Sequence, residues 1–443
     1  MTAASLFDDV GQAFWTIAVA ATANLACALL GCYLLLRRMS LLGDAVSHAV
    51  LPGVVVGFWI SGSTSSGWIF VAAVAVGLVA SFLIQLLHGF AQVAEDASMG
   101  VVFTSLFALG VVMLVQVGPH VDLDVDCVLY GLLEYVSVDT RPVFGLEVPR
   151  AMLSLAVVLG GTLLFISLLW KELKLVSFDP RLATSMGLHA TLVHYLLMVM
   201  VALAIVAGFY AVGSVLVIAM LVVPAATGHL LSDRLAGMMA WAAVVAVSSA
   251  VLGYAGDLRF DTGMAPMMAI VAGAEFAAAL CFSPRHGLVS RAMHRLGLAL
   301  RIVTEDVLAM LYRTDESHER ETAEKGVSRR RCLAAAGGGM LARLSLPLLW
   351  WRGDIRWLPE GRVALTAGGR KAAESLVRSH RLWEAYLGEN FELPLDHLHE
   401  SAERFEHFIG PALREELASE LQQPGRDPHG KTIPGSAHGE REA

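Results

Sequence analysis

Residues 13–36 read AFWTIAVAATANLACALLGCYLLL, a run without a single charge, and they decide the fold. A helix of about 20 residues crosses the ~30 Å hydrocarbon layer of a bilayer, and this run is long enough to do so. Eight further apolar runs follow the same rule, at 45–60, 67–87, 100–117, 152–170, 192–210, 212–231, 235–254 and 264–282. The run 45–60 is short, and the 192–231 pair can be cut differently. A weaker stretch at 127–137 is too short to cross and suits a re-entrant or interfacial helix.

The composition agrees. The chain has 443 residues, 56% apolar, with a mean hydropathy of +0.61 and 16% charged, which excludes an ordinary soluble enzyme of this size. Residues 1–300 hold 12 Lys+Arg and 17 Asp+Glu, while the shorter stretch 301–443 holds 20 and 23. So sharp a step implies two domains in two solvents, an apolar body in lipid and a soluble tail in water. The net charge of −8 is mixed in sign and gives no global argument for a nucleic-acid partner. Five cysteines form no CxxC pair, so no disulfide framework is expected. Asp8 and Asp9 precede the first apolar run with no basic segment, which does not read as a cleaved signal peptide. With the N-terminus outside, eight Lys or Arg fall in inner loops and the start of the tail, against three in outer loops. That balance predicts N-out and C-in, with the tail cytoplasmic.

Three segments carry chemistry. In Arg37-Arg38-Met39-Ser40-Leu41-Leu42-Gly43-Asp44-Ala45-Val46-Ser47-His48-Ala49-Val50-Leu51-Pro52-Gly53, Asp44 and His48 stand four apart and share a helix face. Carboxylate plus imidazole is a divalent-metal ligand pair; it is equally a hydrogen-bonded pair at a helix end, and spacing leaves both readings open. Pro52-Gly53 is expected to break the helix one turn later. The second segment, 170–187, has Asp179 as a natural N-cap, Pro180 at N1 and Gly187 at C′, and so predicts a short capped helix in an inner loop. Such a helix suits docking of another subunit, or serves as a plain connector. The third, 212–229, combines small residues with Pro224 and ends in His229, a ligand or a packed interfacial residue. Asp122, Asp124 and Asp126 form an acidic outer stretch, and Asp257, Asp261 and Glu275 lie near the last two spans as pore-facing or capping residues.

In this order the three segments resemble the ABC-3 family, the membrane permeases of manganese, zinc and iron ATP-binding-cassette importers, over about residues 10–285. Glu95-Asp96-Ala97-Ser98-Met99-Gly100 and Leu129-Tyr130-Gly131 belong to the resemblance. It implies a subunit that binds no ATP itself, with hydrolysis by a separate ATPase, and we expect no G-x-x-x-x-G-K-[ST] phosphate-loop pattern anywhere in the chain. It also implies that Asp44 and His48 lie in the metal path, and that Phe178, Asp179, Pro180, Arg181 and Gly187 belong to an ATPase-coupling segment.

In the tail, helices are expected from Arg301 through Tyr312 and over Val327–Leu346, interrupted at Gly337-Gly338-Gly339. A two-stranded wing is expected around Leu358–Gly361, a helix capped by Thr366 to about Gly388, and another capped by Asp396 through Ile409. Leu365–Arg370, Ser379–Glu384 and Glu400–His407 resemble the iron- and manganese-dependent repressors of the diphtheria-toxin-repressor family. That resemblance puts His380, Glu403, Glu406 and His407 at metal-ligand positions. Asp306 fits the first position, and Ala309 stands where a carboxylate is expected. Glu403, Glu406 and His407 would share one helix face, with donors that suit Mn²⁺ or Fe²⁺. Three glycines at the turn and Pro347, which should break the recognition helix, argue against nucleic acid as a partner.

The expected fold is an all-α polytopic membrane protein of about nine transmembrane helices, with a cytoplasmic α+β winged-helix-like and helical C-terminal domain. Its parts are a permease domain (1–285), a linker (286–300), a degenerate winged-helix-like region (301–366), a helical metal-binding and dimerisation-like region (367–422) and a disordered tail (423–443). The expected function is the permease subunit, not itself an enzyme, of an importer for manganese, zinc or iron in the bacterial inner membrane, with a metal-sensing tail. No cofactor is required; a regulatory Mn²⁺ or Fe²⁺ would sit in the tail. Partners would be a cytoplasmic ATPase, an extracytoplasmic metal-binding protein, a second permease copy or paralogue, and lipid. The alternatives are a membrane-anchored metal-responsive regulator and a proton-coupled transporter using Asp44 or Glu275.

Overall fold

The computed structural model describes residues 3–39, 41–62, 67–117, 133, 136, 140–143, 146–317, 326–391, 394, 398–399, 402–403 and 405–435. It forms two compact units, Met1–Arg291 and Ala292–Ala443. In the first, α1 (Ala3–Leu36) is followed by α2 (Leu42–Ala49), α3 (Leu51–Ser61), α4 (Gly67–Phe90) and α5 (Glu95–Val117). A hairpin of β1 (Thr140–Val143) and β2 (Leu146–Pro149) leads into α6 (Arg150–Leu168), α7 (Trp170–Phe178) and α8 (Pro180–Ser185). The unit ends with α9 (Ala190–Val212), α10 (Ser214–Leu231), α11 (Leu235–Phe260) and α12 (Met264–Phe282).

Among the described residues eight spans are long and apolar enough to cross a membrane, counting α2 and α3 together as Leu42–Ser61, and α10 adds a shorter apolar helix. The expected spans are therefore present, with ends moved by a few residues. The expected interfacial helix at 127–137 and the acidic stretch 122–126 lie almost entirely outside the described residues. Helix α1 is the central post, packed on α6, α9, α10 and α11. Inside this apolar body, the Asn24 amide nitrogen donates to the Ala246 carbonyl and to Ser249 Oγ, both at 2.9 Å, which pairs donors that would be costly to bury alone. Helices α9 and α10 are separated by Gly213 alone, at φ +81° and ψ 166°, a backbone region essentially confined to glycine.

Pro52 does not break its helix. The discontinuity falls at Val50, which keeps helical torsions, and Pro52 sits in the first turn of α3, where a missing N–H is tolerated. Asp257 and Asp261 are capping residues: the Asp257 carboxylate accepts from the Gly263 N–H at 2.8 Å, and Asp261 is the left-handed C-cap of α11.

The second unit begins with α13 (Leu288–Ser317), so the stretch 286–300 read as a linker is helical from Leu288. Then come β3 (Val327–Ser328), α14 (Arg329–Ala335), α15 (Met340–Trp351), β4 (Ile355–Leu358) and β5 (Arg362–Leu365), with α14 and α15 set at 118° to each other. The strands form an antiparallel sheet in the order β3-β5-β4, the expected wing plus one short strand. Pro347 was expected to end α15, yet the helix runs through it to Trp351. A proline in a helix interior costs about 3 kcal/mol. Leu346 and Leu349 on its buried face contribute roughly 1.5–3 kcal/mol each, which offsets that cost. Helix α16 (Ala367–Asn390) starts at Thr366, whose hydroxyl accepts from the Gly369 N–H at 3.1 Å. Asp396 lies outside the described residues. Residues 406–408 form a 3₁₀ turn, and α17 (Pro411–Glu420) follows.

The disorder expected from 423 onward is also corrected, for residues 423–435. Asp427 is buried, its carboxylate accepting from the His429 and Lys431 N–H groups at 3.0 and 2.8 Å, and Ile433 is buried with Leu382, Ala418 and Leu421. One Asx-type turn and one apolar anchor are enough to order a Gly- and Pro-rich segment.

Candidate functional site

Asp44 and His48 meet in α2, with Asp44 Oδ1 3.3 Å from His48 Nε2 and both side chains about a third exposed. The His48 ring lies against Phe103 and Phe107 of α5, with centroids 5.8 and 5.7 Å away. Two aromatic walls fix the plane of the imidazole, and the carboxylate fixes its edge. Carboxylate and imidazole are donors that suit a divalent cation, and so sparse a set would let it leave.

The segment around Asp179, expected to serve in coupling, is built from its own ends. Asp179 Oδ1 accepts from the Arg181 and Leu182 N–H groups at 3.0 and 2.9 Å, with Pro180 at N1. Gly187 at φ +83° closes α8: its N–H reaches the Thr184 carbonyl and the Leu188 N–H reaches that of Ala183, each at 3.0 Å. Of α8 only Ala183 is buried, and Phe178, Leu182 and Met186 expose large apolar side chains beside Arg181.

Beneath it lies a network that sequence reasoning missed. Arg37, at the end of α1, donates from Nε to Ser177 Oγ and from Nη1 to His194 Nδ1, both at 3.1 Å. Arginine can only donate, so Nδ1 of His194 accepts from it, and Nε2 of the same ring meets the Gln85 amide. These residues line a cavity of about 420 Å³ reaching Pro180. Arg37 therefore ties the coupling segment to the turn that starts α2, seven residues before Asp44. At Arg38 that turn takes the left-handed conformation that favours glycine, at φ +62°. Nothing in the sequence pattern signals this, because four separate helices supply the partners.

In the tail, Asp306, Glu406 and His407 converge, as do His380, Glu384 and His399, and Glu384, Asp427 and His429. His407 Nδ1 lies 2.7 Å from Glu305 and its Nε2 lies 3.2 Å from Asp306. His380 bridges Glu406 and Glu384, and His399 Nδ1 lies 2.8 Å from Glu384. The expected shared face of Glu403, Glu406 and His407 is not formed, because the 3₁₀ turn at 406–408 replaces a continuous helix and leaves Glu403 exposed. Glu384, His399, Asp427 and His429 went unread; the only local signal was the i, i+4 spacing of His380 and Glu384. Burial alone would raise Glu384, but hydrogen bonds from His380 and His399 hold it at about 2. Burial likewise works against charge on His407, yet hydrogen bonds to Asp306 and Glu305 lift it to about 9. These carboxylates and imidazoles, buried except for Asp306, His399 and His429, are donors that fit Mn²⁺ or Fe²⁺, which would displace these protons.

Residues 425–432, GRDPHGKT, do spell the G-x-x-x-x-G-K-[ST] pattern, contrary to the expectation of none. Among the described residues no strand leads into it and no helix opens from it, and the segment is a turn closed by the Arg426–Thr432 bridge, unlike the strand–loop–helix of a phosphate loop.

A mostly helical membrane body with a carboxylate–imidazole pair inside one span and a self-capped helix on its surface is the architecture of a transporter's membrane subunit. The chain belongs to the ABC 3 transport family, whose profile matches residues 10–283. Residues 366–435 match the iron dependent repressor, metal binding and dimerisation domain. The manganese transport system membrane protein MntD of Bacillus subtilis is 42% identical over 64% of this chain and 96% of its own length. The zinc transport system membrane protein TroD of Treponema pallidum is 37% identical over 74% and 90%. The structure of PsaBC from Streptococcus pneumoniae in complex with Fab superposes with a TM-score of 0.53 at 30% identity, covering 61% of this chain and 92% of that one.

Proposed function

We propose that this chain is the permease subunit of an ATP-binding-cassette importer carrying Mn²⁺ or Zn²⁺, with Fe²⁺ a further substrate of the same ligand chemistry, across a bacterial inner membrane. The observation that carries the reading is the Asp44–His48 pair, set in a span and walled by Phe103 and Phe107. A polar pair half open to its surroundings at membrane depth needs a polar neighbour, which supports a second permease copy or paralogue completing the path. A separate cytoplasmic ATPase would dock on Phe178, Leu182 and Met186, and its strokes would reach α2 through Arg37. An extracytoplasmic protein would deliver the metal, with the N-terminus outside and the tail in the cytoplasm. There, metal on His380, Glu384, Glu406 and His407 would restrain transport when the cytosolic supply is high; Glu403 joins only if the 3₁₀ turn rewinds.

The test is accumulation of equimolar Mn, Zn and Fe in cells expressing the chain with its ATPase, for wild type, Asp44→Ala and His48→Ala. Selective accumulation lost in both variants supports the reading, and unchanged accumulation removes the pair from the path.

A further inference from the structure

Helix α15 divides cleanly along its length. Ala342, Ser345, Leu346 and Leu349 are buried, while Met340, Arg343, Leu344, Pro347, Trp350 and Trp351 form one exposed stripe on the other side. Met340 is 80% exposed and Trp351 81%, values that large apolar side chains rarely hold without a partner. In a winged helix this is the element that enters the major groove and reads base edges with hydrogen-bonding side chains. Methionine, leucine and proline offer a base no such bond, and each indole offers a single donor.

The stripe's surroundings are one-sided in charge. Across residues 329–358 there are six arginines, Arg329 to Arg331, Arg343, Arg352 and Arg356, all exposed, against the single acid Asp354. Tryptophan pairs on an apolar helix face rimmed by arginine fit a lipid–water boundary, where indoles settle at headgroup level and guanidinium groups meet phosphates. A bilayer is also always at hand, because the chain's last span ends at Phe282 and α13 begins at Leu288.

We propose that α15 is a membrane-docking face for anionic phospholipid, converted from a nucleic-acid-reading helix. Trp350 and Trp351 seat at headgroup level, and the arginines hold lipid phosphates. The inference rests on the tail facing an anionic leaflet. Discs with anionic lipid in both leaflets make the test independent of that side.

The experiment is hydrogen exchange of the full chain in lipid nanodiscs, either phosphatidylcholine alone or mixed with phosphatidylglycerol, followed over residues 340–352. We expect exchange at least about fivefold slower with phosphatidylglycerol. The protection should vanish in Trp350→Ser/Trp351→Ser and weaken in Arg329→Gln/Arg330→Gln/Arg331→Gln. Equal exchange in both lipids overturns the proposal. So does protection that appears only on adding the ATPase or duplex DNA, which would assign the face to protein or to nucleic acid. Exchange at Val363, buried in β5, reports whether the variants fold; if they do not, the wild-type lipid comparison decides alone.

Discussion

Asp44 and His48 in the membrane body pair with each other, the His48 ring lying against two phenylalanines, whereas in the tail Glu305, Asp306, His380, Glu384, His399, Glu406 and His407 interlock around a buried centre of His380, Glu384, Glu406 and His407. Both sets use carboxylate and imidazole, so a cation bound at either would differ in how many ligands surround it and how deeply. A sparse, half-open pair binds weakly enough to let a cation move on. A dense, buried set must exchange protons for metal and so holds what it binds, as a gauge of supply requires.

The comparison breaks first at the pair. Asp44→Ala or His48→Ala should lower uptake at least about 100-fold, the upper end of what loss of a ligand's neighbour costs; near-normal uptake would put the metal path elsewhere in the membrane body. Coupling comes next. Phe178→Asp should reduce transport-stimulated ATP hydrolysis by about tenfold or more in reconstituted vesicles, because it puts a charge into an apolar docking face. Arg37→Met should leave metal binding and subunit assembly intact but lower the metal moved per ATP, and unchanged stoichiometry would show that the link to Ser177 and His194 carries no force.

The tail's chemistry gives a pH signature. His407 in the metal-free chain is held protonated up to about 9 by Asp306 and Glu305, although burial opposes this. Metal must displace that proton, so apparent Mn²⁺ affinity of the tail should rise by up to about tenfold per pH unit from 7 toward 9. The sign for stability is the reverse: the raised pKa stabilises the metal-free fold below the ordinary histidine range, and that contribution is lost as pH climbs through about 9. A flat Mn²⁺ titration between pH 7 and 9 would place the metal elsewhere. Removing residues 301–443 should raise uptake by about fivefold at high cytosolic metal and leave it unchanged at low metal, the smaller end of allosteric coupling. The smallest effect is Thr366→Ala, which loses the α16 cap and should lower tail stability by about 1 kcal/mol in thermal melts.

How legible each region was follows from the reach of the interactions that made it. The spans, the cap at Asp179 and Gly187, the wing and the start at Thr366 are local, written within a few residues, and all are present. The Arg37 network joins the end of α1 to Ser177, His194 and Gln85, far apart in the chain, and no window of sequence holds it. The same is true of Glu384, which gathers His380, His399 and His429 from three places. Pro347 misled because a propensity of about 3 kcal/mol was read without the leucines packed beside it. Residues 423–435 misled because composition averages over the two residues, Asp427 and Ile433, that anchor them.

Helix α8 makes both of its own ends and buries only Ala183. Nothing inside the permease therefore dictates what Phe178, Leu182 or Met186 should be, and those positions are free to change in step with whatever presses on them. Such a segment is a detachable key: exchanged as a block with its two caps, it could be recut for a different motor without disturbing the lock behind it.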